Sequence, residues 1–429
     1  MNIALANESF SPQFDGVAVC TQNYAKIINE KYGKSYVIVP GDKSRDVESF
    51  PYPIIEYPSS KPIIADQYTI GLPISYKLNK KLSEIPVDLI HSHCPFVSGI
   101  LAQRIAKKRG LPHVSTFHSK FKDDVNQRIK INFNLPGELV AKYVAAFYER
   151  CDYVWTVSSG TANTLREYGY KGEILVMPNG CDMPVTHSDP SVRQAIADEY
   201  GLKADKPIFL FVGRMNYLKN INLIVKALGA LKRRNKEFSM LFVGSGEDKA
   251  KLEALVAKLN LQNDVKFAGK VMDREKLRKI YASSDLFVFP SVYDNAPLVV
   301  REAAACGCAS LLIKGSNSSE GVTDGFNGIL TEERVSDIAL GLSDAISKYD
   351  LELMGKNARD TIYMSWDDVL EKVVAEYEKI LDEWSSKSHE KRKLNPLDQI
   401  DLLKEFNLKR SYQNYKQKRR DLAEKNQLK

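Results

Sequence analysis

No uncharged apolar run in this chain of 429 residues reaches the roughly 18 to 20 residues that cross a bilayer, which excludes a membrane-spanning reading. The opening MNIALANESF lacks a basic stretch leading into an apolar core and a cleavage site. It reads as a first strand and not as an export leader, so the expected location is cytoplasmic. Cysteine is sparse and never at CxxC spacing. Cys20, Cys94, Cys151, Cys181, Cys306 and Cys308 are scattered, which argues against a zinc ribbon or disulfide scaffold and for reduced, mostly buried thiols. Low-complexity segments are missing as well. With 44% apolar and 27% charged residues, 24 Gly and 18 Pro, the composition excludes global disorder.

Before residue 387 the chain has no charge excess of either sign. There 48 Lys and Arg face 48 Asp and Glu, and the net +7 resides in residues 387–429, where 13 basic residues face 6 acidic ones. Tyr412 and Tyr415 among those basic residues are the only hint of nucleic-acid binding, and no nucleic-acid partner is expected. The tail contains no Gly, and Leu394, Leu397, Ile400, Leu403 and Phe406 recur every three residues. That spacing predicts a basic amphipathic helix.

The length exceeds the ceiling of about 250 to 300 residues for one core, so two packed domains are expected. Short apolar runs alternate with amphipathic stretches, the pattern of βα units and parallel sheets. Predicted strands are Ile3–Ala6, Tyr36–Val39, Leu89–Ser92, His113–Thr116, Val154–Val157 and Ile174–Met177, then Ile208–Val212, Met240–Val243, Val265–Phe267, Leu286–Phe289 and Ser310–Ile313. Helices are expected at Ala18–Lys31, Ile100–Lys108, Asn222–Arg233 and Val369–Trp384. Between His187 and Lys206 the pattern loses its strands and then restarts. The expected division is 1–184 and 185–365 as two Rossmann-like domains, 366–386 as a helix packing back on the first, and 387–429 as the tail. Such sheets bind ligands at the carboxyl ends of their strands, which places a ligand between the two domains.

The stretch FPSVYDNAPLVVREAAACGCASLL, Phe289 to Leu312, is the most informative. A helix beginning near Pro297 leaves the N–H groups of Ala296, Leu298 and Val299 unpaired, where an anion is favoured. Glu302, one turn beyond Leu298, can reach back to that mouth and accept two hydroxyl hydrogens, as from a ribose diol. Asp294 can do the same for sugar hydroxyls. The bland alternative is that Asp294 or Asn295 caps the helix and Glu302 is a solvated residue. In VGRMNYLKN, Arg214 and Lys219 follow a buried strand and can compensate a diphosphate as paired cations. Gly16 in PQFDGV permits close backbone approach to a phosphate or sugar at the start of a helix. His91, His93 and His118 stand at neighbouring strand ends. No carboxylate or Cys completes a ligand spacing, so no metal is expected. Structural roles compete for His91 and His93, and His118 is better placed to contact substrate.

GRMNYLKN, the pair Asp294 and Glu302, PNGCD (Pro178–Asp182) and DGFNGIL (Asp324–Leu330) together resemble the retaining glycosyltransferases of family four, which have the GT-B fold. The likeness runs over residues 1 to 385. It implies a nucleotide-sugar donor in the second domain and an acceptor in the first. It assigns the two carboxylates of an E-x7-E motif to Asp294, beside the donor sugar, and Glu302, on the ribose. Arg214 and Lys219 become the diphosphate clamp, and Asn295, Ala296, Pro297 and Leu298 supply main-chain contacts to sugar and phosphates. Gly16 completes the lid and His118 lies by the reacting centre. The mechanism implied is retention without an enzyme nucleophile and without a metal cofactor. Three positions depart from the pattern: Asp294 is one methylene short of Glu, Asp15-Gly16 replaces Gly-Gly, and Gly307-Cys308-Ala309 lacks a proline.

The family's acceptors are diverse. YDNAPLVVREAAA and HSKF look like members that glucosylate diacylglycerol, so the leading expectation is transfer of a hexose, as from UDP-glucose, to such a membrane lipid. The basic tail would then lie on the anionic inner face of the plasma membrane, where each Lys or Arg contributes about 1 kcal/mol. Transfer to a soluble or polyprenyl-linked saccharide is the second reading. A non-catalytic nucleotide-sugar binder, prompted by Asp294, is the third.

Overall fold

The strands form where apolar side chains run without interruption. In a computed structural model that describes residues 1–12, 15–60, 70–71, 76–122 and 135–386, IFLFV, SMLFV, LFVF and ASLLI are buried on both faces. That continuity of apolar residues is what a parallel sheet covered by helices demands. Residues 387–429, with the expected basic helix, lie outside the described residues.

The first sheet is built from β1 (Asn2–Ala6), β2 (Lys34–Pro40), β3 (Ile54–Tyr57), β6 (Leu89–Ser92), β7 (His113–Phe117), β8 (Tyr153–Thr156) and β9 (Leu175–Val176). Its order is β3-β2-β1-β6-β7-β8-β9, parallel throughout. β4 (Ser59–Ser60) and β5 (Ile70–Gly71) pair separately as a short antiparallel ladder. The second sheet holds β10 (Ile208–Val212), β11 (Ser239–Val243), β12 (Val265–Gly269), β13 (Leu286–Phe289), β14 (Ala309–Ile313) and β15 (Gly328–Thr331). It is ordered β12-β11-β10-β13-β14-β15, again parallel. These are two Rossmann-like α/β units, the GT-B architecture.

The helices are α1 (Gly16–Ile27), α2 (Tyr76–Glu84), α3 (Val97–Arg109), α4 (Leu135–Tyr148), α5 (Ser159–Glu167), α6 (Pro190–Tyr200), α7 (Ile221–Arg233), α8 (Lys249–Lys258), α9 (Arg274–Ala282), α10 (Leu298–Ala305), α11 (Val335–Ser347), α12 (Leu351–Thr361) and α13 (Trp366–Ser386). The strandless stretch after His187 is α6, capped by Asp189 with Pro190 in its first turn and ended by Gly201 in the left-handed conformation. Pattern reading missed β3, which carries Glu56 and is flanked by Pro53 and Pro58, and β15, which directly follows a turn.

α13 leaves the second unit and packs on the first. Trp366, Val369, Leu370, Val373, Val374, Tyr377 and Ile380 are its buried stripe, at the three- and four-residue spacing of one helix face. They join Ile3, Leu5, Tyr24 and Trp155 in a single core cluster, apart from Val374. Tyr377 stacks on Trp155 with centroids 5.5 Å apart, and its hydroxyl shares a hydrogen bond with His91 Nδ1. The entry of the helix is shaped by PNGCD. A Cβ on Gly180 would stand 2.6 Å from Trp366 Cα, and Cys181 N donates to Met364 O at 2.9 Å.

Tyr377→Phe keeps the stacking and removes the partner of a buried imidazole nitrogen, so it should destabilise this half of the molecule by about 1–3 kcal/mol. Trp155 and Trp366 both lie in this core, so intrinsic fluorescence during urea unfolding reads it. An unchanged urea midpoint would show that the contact carries no such weight.

Candidate active site

The carboxyl ends of β10, β11 and β13 form one wall. After β10 the chain turns through Gly213 and Arg214, and after β11 through Gly244 and Gly246. Met215 N donates to Ser245 O at 2.9 Å, and Gly213 N to Val243 O at 3.0 Å. A Cβ on Gly244 would lie 2.0 Å from Gly213 O, and one on Gly246 2.2 Å from Met215 O. The two loops therefore touch backbone to backbone, which only glycine permits. Lys219 ends a short 3-10 turn, Tyr217–Lys219, and Asn220 follows it at φ 55°. Asn220 Nδ2 donates to Pro290 O at 2.9 Å, pinning that turn to the end of β13.

This pin sets Lys219 against Asp294. Lys219 Nζ donates to both carboxylate oxygens at 2.6 and 2.7 Å, Ser291 Oγ donates to the same carboxylate at 2.5 Å, and the ammonium stands 5.1 Å from the Phe289 ring centroid. Only 15% and 21% of the two side chains are exposed. α10 starts at Leu298 with Pro297 as its N-cap and no side-chain cap. Neither Asp294 nor Asn295 caps the helix, so the bland reading of that pair fails. Its start, formed by Ala296, Pro297 and Leu298, remains a seat for negative charge. Glu302 is 6% exposed, not solvated. It accepts from Tyr281 Oη at 3.0 Å and from Arg274 Nη2 at 2.9 Å, and the same Arg274 nitrogen donates to Asp182 at 2.6 Å. Arg214 lies farther out, its side chain 51% exposed and bonded to Glu247 at 3.1 Å.

The opposite wall comes from the first sheet. Asn295 Nδ2 donates to His118 O at 2.7 Å, Lys120 Nζ to Val292 O at 3.3 Å, and Ser159 N to Glu320 at 2.9 Å. The cleft is thus narrow at His118. At Gly16 the outcome is mixed. Asp15 caps α1 by accepting from Val17 N and Ala18 N, so the anion seat expected there holds a carboxylate of the chain, while the space where a Gly16 Cβ would go is open.

The histidines separate into two kinds. His91 uses both nitrogens, on Tyr377 and on Thr116 at 2.7 Å. His93 Nδ1 and His118 Nε2 meet at 3.1 Å, and His93 Nε2 is buried without a partner. The Cys that no spacing in the sequence offered is supplied by the fold, and His91 is not part of the set. Cys20, on α1, brings its Sγ to His93 and His118, one ligand atom from each residue lying within 4.8 Å of the others. Burial holds four imidazoles neutral, lowering His113 and His118 to about 3 and His91 and His93 well below their usual range.

Sequence reading missed Gly244, Gly246, Tyr281, Arg274 and Cys20. The first two had a signal, a Gly-x-Gly directly after a predicted strand. The others sit on helices with nothing local to mark them.

Two facing Rossmann-like units with a cationic group and an uncapped helix start at their seam define a GT-B glycosyltransferase. A model of the glycosyl transferases group 1 family matches residues 192–361, and one of glycosyltransferase family 4 matches residues 14–183. An uncharacterized glycosyltransferase of Methanocaldococcus jannaschii is 31% identical over 312 residues, 70% of this chain and 78% of that protein. An alpha-monoglucosyldiacylglycerol synthase of Acholeplasma laidlawii is 22% identical over 339 residues, 77% of this chain and 84% of that one. Among solved structures, Anabaena Alr3699/HepE in complex with UDP matches in fold with TM-score 0.72 at 18% identity, over 88% of this chain and 100% of that one. The chain belongs to glycosyltransferase family four and is a hexosyltransferase that uses a nucleotide-sugar donor. Among the described residues no helix is long and apolar enough to cross a membrane.

The neutral histidines make the fold acid-sensitive. An unfolded histidine titrates near 6.5, well above these folded values, so the unfolded chain binds protons that the folded chain refuses. Stability is complete above that pH and is lost as pH falls toward 3, by up to about 1.4 kcal/mol per pH unit for each histidine. Urea midpoints at pH ~7.5 and ~5.5 should differ accordingly, and equal midpoints would contradict the neutral assignment.

Proposed function

We propose that the protein is a retaining transferase that moves glucose from UDP-glucose to the free hydroxyl of diacylglycerol. The observation that carries the donor half is the uncapped start of α10 beside Lys219. A diphosphate there meets unpaired N–H groups and an ammonium, with Arg214 at the outer edge. The leaving diphosphate gains negative charge as the glycosidic bond breaks, and these groups stabilise it without a divalent ion. Glu302 holds the ribose diol and Asp294 the sugar hydroxyls, while Asn295 and Gly16 line the donor. The acceptor hydroxyl attacks from the face that the diphosphate leaves, near His118, and the leaving phosphate oxygen takes its proton. Because attack comes from the face that the diphosphate leaves, the anomeric configuration is kept without an enzyme nucleophile.

The diacylglycerol half is supported by the relative of that activity in Acholeplasma laidlawii and by the basic tail, which would hold the protein peripherally on the inner face of the plasma membrane. A specific observation favours a second reading, a saccharide acceptor. A cavity of ≈ 350 Å³ at the cleft mouth is lined by polar groups of Lys120, Asn163, Thr164, Glu167 and Asn317, suited to sugar hydroxyls.

Labelled UDP-glucose offered with diacylglycerol in mixed micelles, beside a panel of saccharides, separates the two readings. The expected product is an α-glucosyldiacylglycerol, its configuration read from the anomeric proton coupling. Lys219→Ala should lower kcat by about 100-fold or more, the cost of one lost charge-stabilising donor. A saccharide product, or a β anomer, would overturn the acceptor or the retaining assignment. The tail is tested by flotation with anionic liposomes: a chain ending at Ser386 should float less than the full chain, and equal flotation would reject its membrane role.

A further inference from the structure

Three side chains with soft or borderline donor atoms meet beneath the Asn295–His118 contact. Cys20 comes from α1, His93 from the residue after β6, and His118 from the residue after β7. All three are buried, at 1%, 2% and 8% exposure, and one ligand atom of each lies within 4.8 Å of the others. His93 Nδ1 and His118 Nε2 stand 3.1 Å apart. Two imidazole nitrogens on one tetrahedral ion, each at ~2.0–2.1 Å, are separated by about 3.3 Å. A shared proton also accounts for that contact, and under either arrangement His93 Nε2 is a further buried nitrogen without a partner. Neighbouring His91 shows what a closed hydrogen-bond network looks like at this strand end, with both nitrogens used.

We propose that Cys20, His93 and His118 form a binding site for one transition-metal ion of the Zn²⁺ class, with water as the fourth ligand. The ligand set selects the ion. Two imidazoles and a thiol suit Zn²⁺ or Co²⁺ and not Mg²⁺ or Mn²⁺, which prefer oxygen. The site is therefore distinct from any ion that would accompany a diphosphate. Burial keeps both imidazoles neutral, the form that ligates, and keeps the thiol protonated. Binding forms a metal–sulfur bond, breaks the S–H bond and releases that proton to solvent. The sulfur has to reach ~2.3 Å from the ion, which places it about 3.5 Å from each imidazole nitrogen, an approach of up to about 1.3 Å from a present spacing within 4.8 Å. Occupancy would tie α1 to the ends of β6 and β7 on the first-sheet side of the cleft.

The test uses the full chain, loaded with Zn²⁺ or Co²⁺ and dialysed. Expected are about one ion retained per chain by plasma mass spectrometry and, for Co²⁺, a thiolate-to-cobalt charge-transfer band with the visible bands of a four-coordinate ion. Cys20→Ala and His93→Gln should each weaken Zn²⁺ at least tenfold in competition with a chromophoric chelator. Cys151→Ala, which alters a thiol elsewhere, should leave the affinity unchanged, and excess Mg²⁺ should not compete. Equal Zn²⁺ retention by the native chain and Cys20→Ala, or no retention by the native chain, overturns the proposal. Should the variants fail to fold, as judged by circular dichroism, the native Co²⁺ spectrum decides: absence of the thiolate band overturns it.

Discussion

The pairing of Lys219 with Asp294 is the contact on which the donor wall depends. Its two partners come from turns 75 positions apart in the chain, and they meet only because β10 and β13 are neighbours in the sheet. A pair this enclosed gains little net stability, since desolvation offsets most of the Coulombic attraction, but losing one partner strands the other charge. Its value is therefore positional. The ammonium is held next to the open start of α10, and Asp294 is kept from capping that helix because its oxygens are committed to Lys219 and Ser291. The shorter carboxylate and the lysine thus form one unit, and the departure from the family pattern at Asp294 is accommodated rather than idle.

The same logic explains the glycines. Arg214 and Lys219 can stand at a strand end only if the loop between them lies flat on its neighbour, and Gly244 and Gly246 provide that by letting backbone meet backbone. Gly355 does the equivalent at the far side, where a Cβ would fall 1.8 Å from Gly307 O. The CGCA turn at Gly307, at φ 67°, can therefore do without the proline that its pattern often carries, because α12 already clamps it.

Much of this was legible beforehand. Continuous apolar runs such as IFLFV mark central parallel strands because both faces are covered, and their positions were read within a residue or two. β3 and β15 were not read, being short strands at or near sheet edges, where burial does not enforce a long apolar run. Lys219, Asp294 and the open helix start were legible from their place directly after buried strands. Arg274 and Tyr281 were not, because they act from α9 on a carboxylate of α10, and only the packing of those two helices brings them to Glu302. Cys20 was invisible for the same reason. It is 73 residues from His93 in the chain, and ligand spacing along a sequence detects sites made by one loop or helix, not those assembled by a sheet.

Glu302 shows how such a hidden shell changes the chemistry of a legible residue. A carboxylate offers about four lone-pair sites. Tyr281 and Arg274 take two of them, so the proposed ribose contact has to use those that remain. The two bonds fix the plane of the carboxylate before any ligand arrives, and a group already oriented loses less freedom on binding. Arg274 also reaches Asp182 of PNGCD, the segment whose Gly180 lets α13 cross to the first unit. Glu302 is thereby linked through one guanidinium to the segment where α13 crosses between the two halves. The orientation of this carboxylate and the seating of the crossing helix are set by the same few side chains.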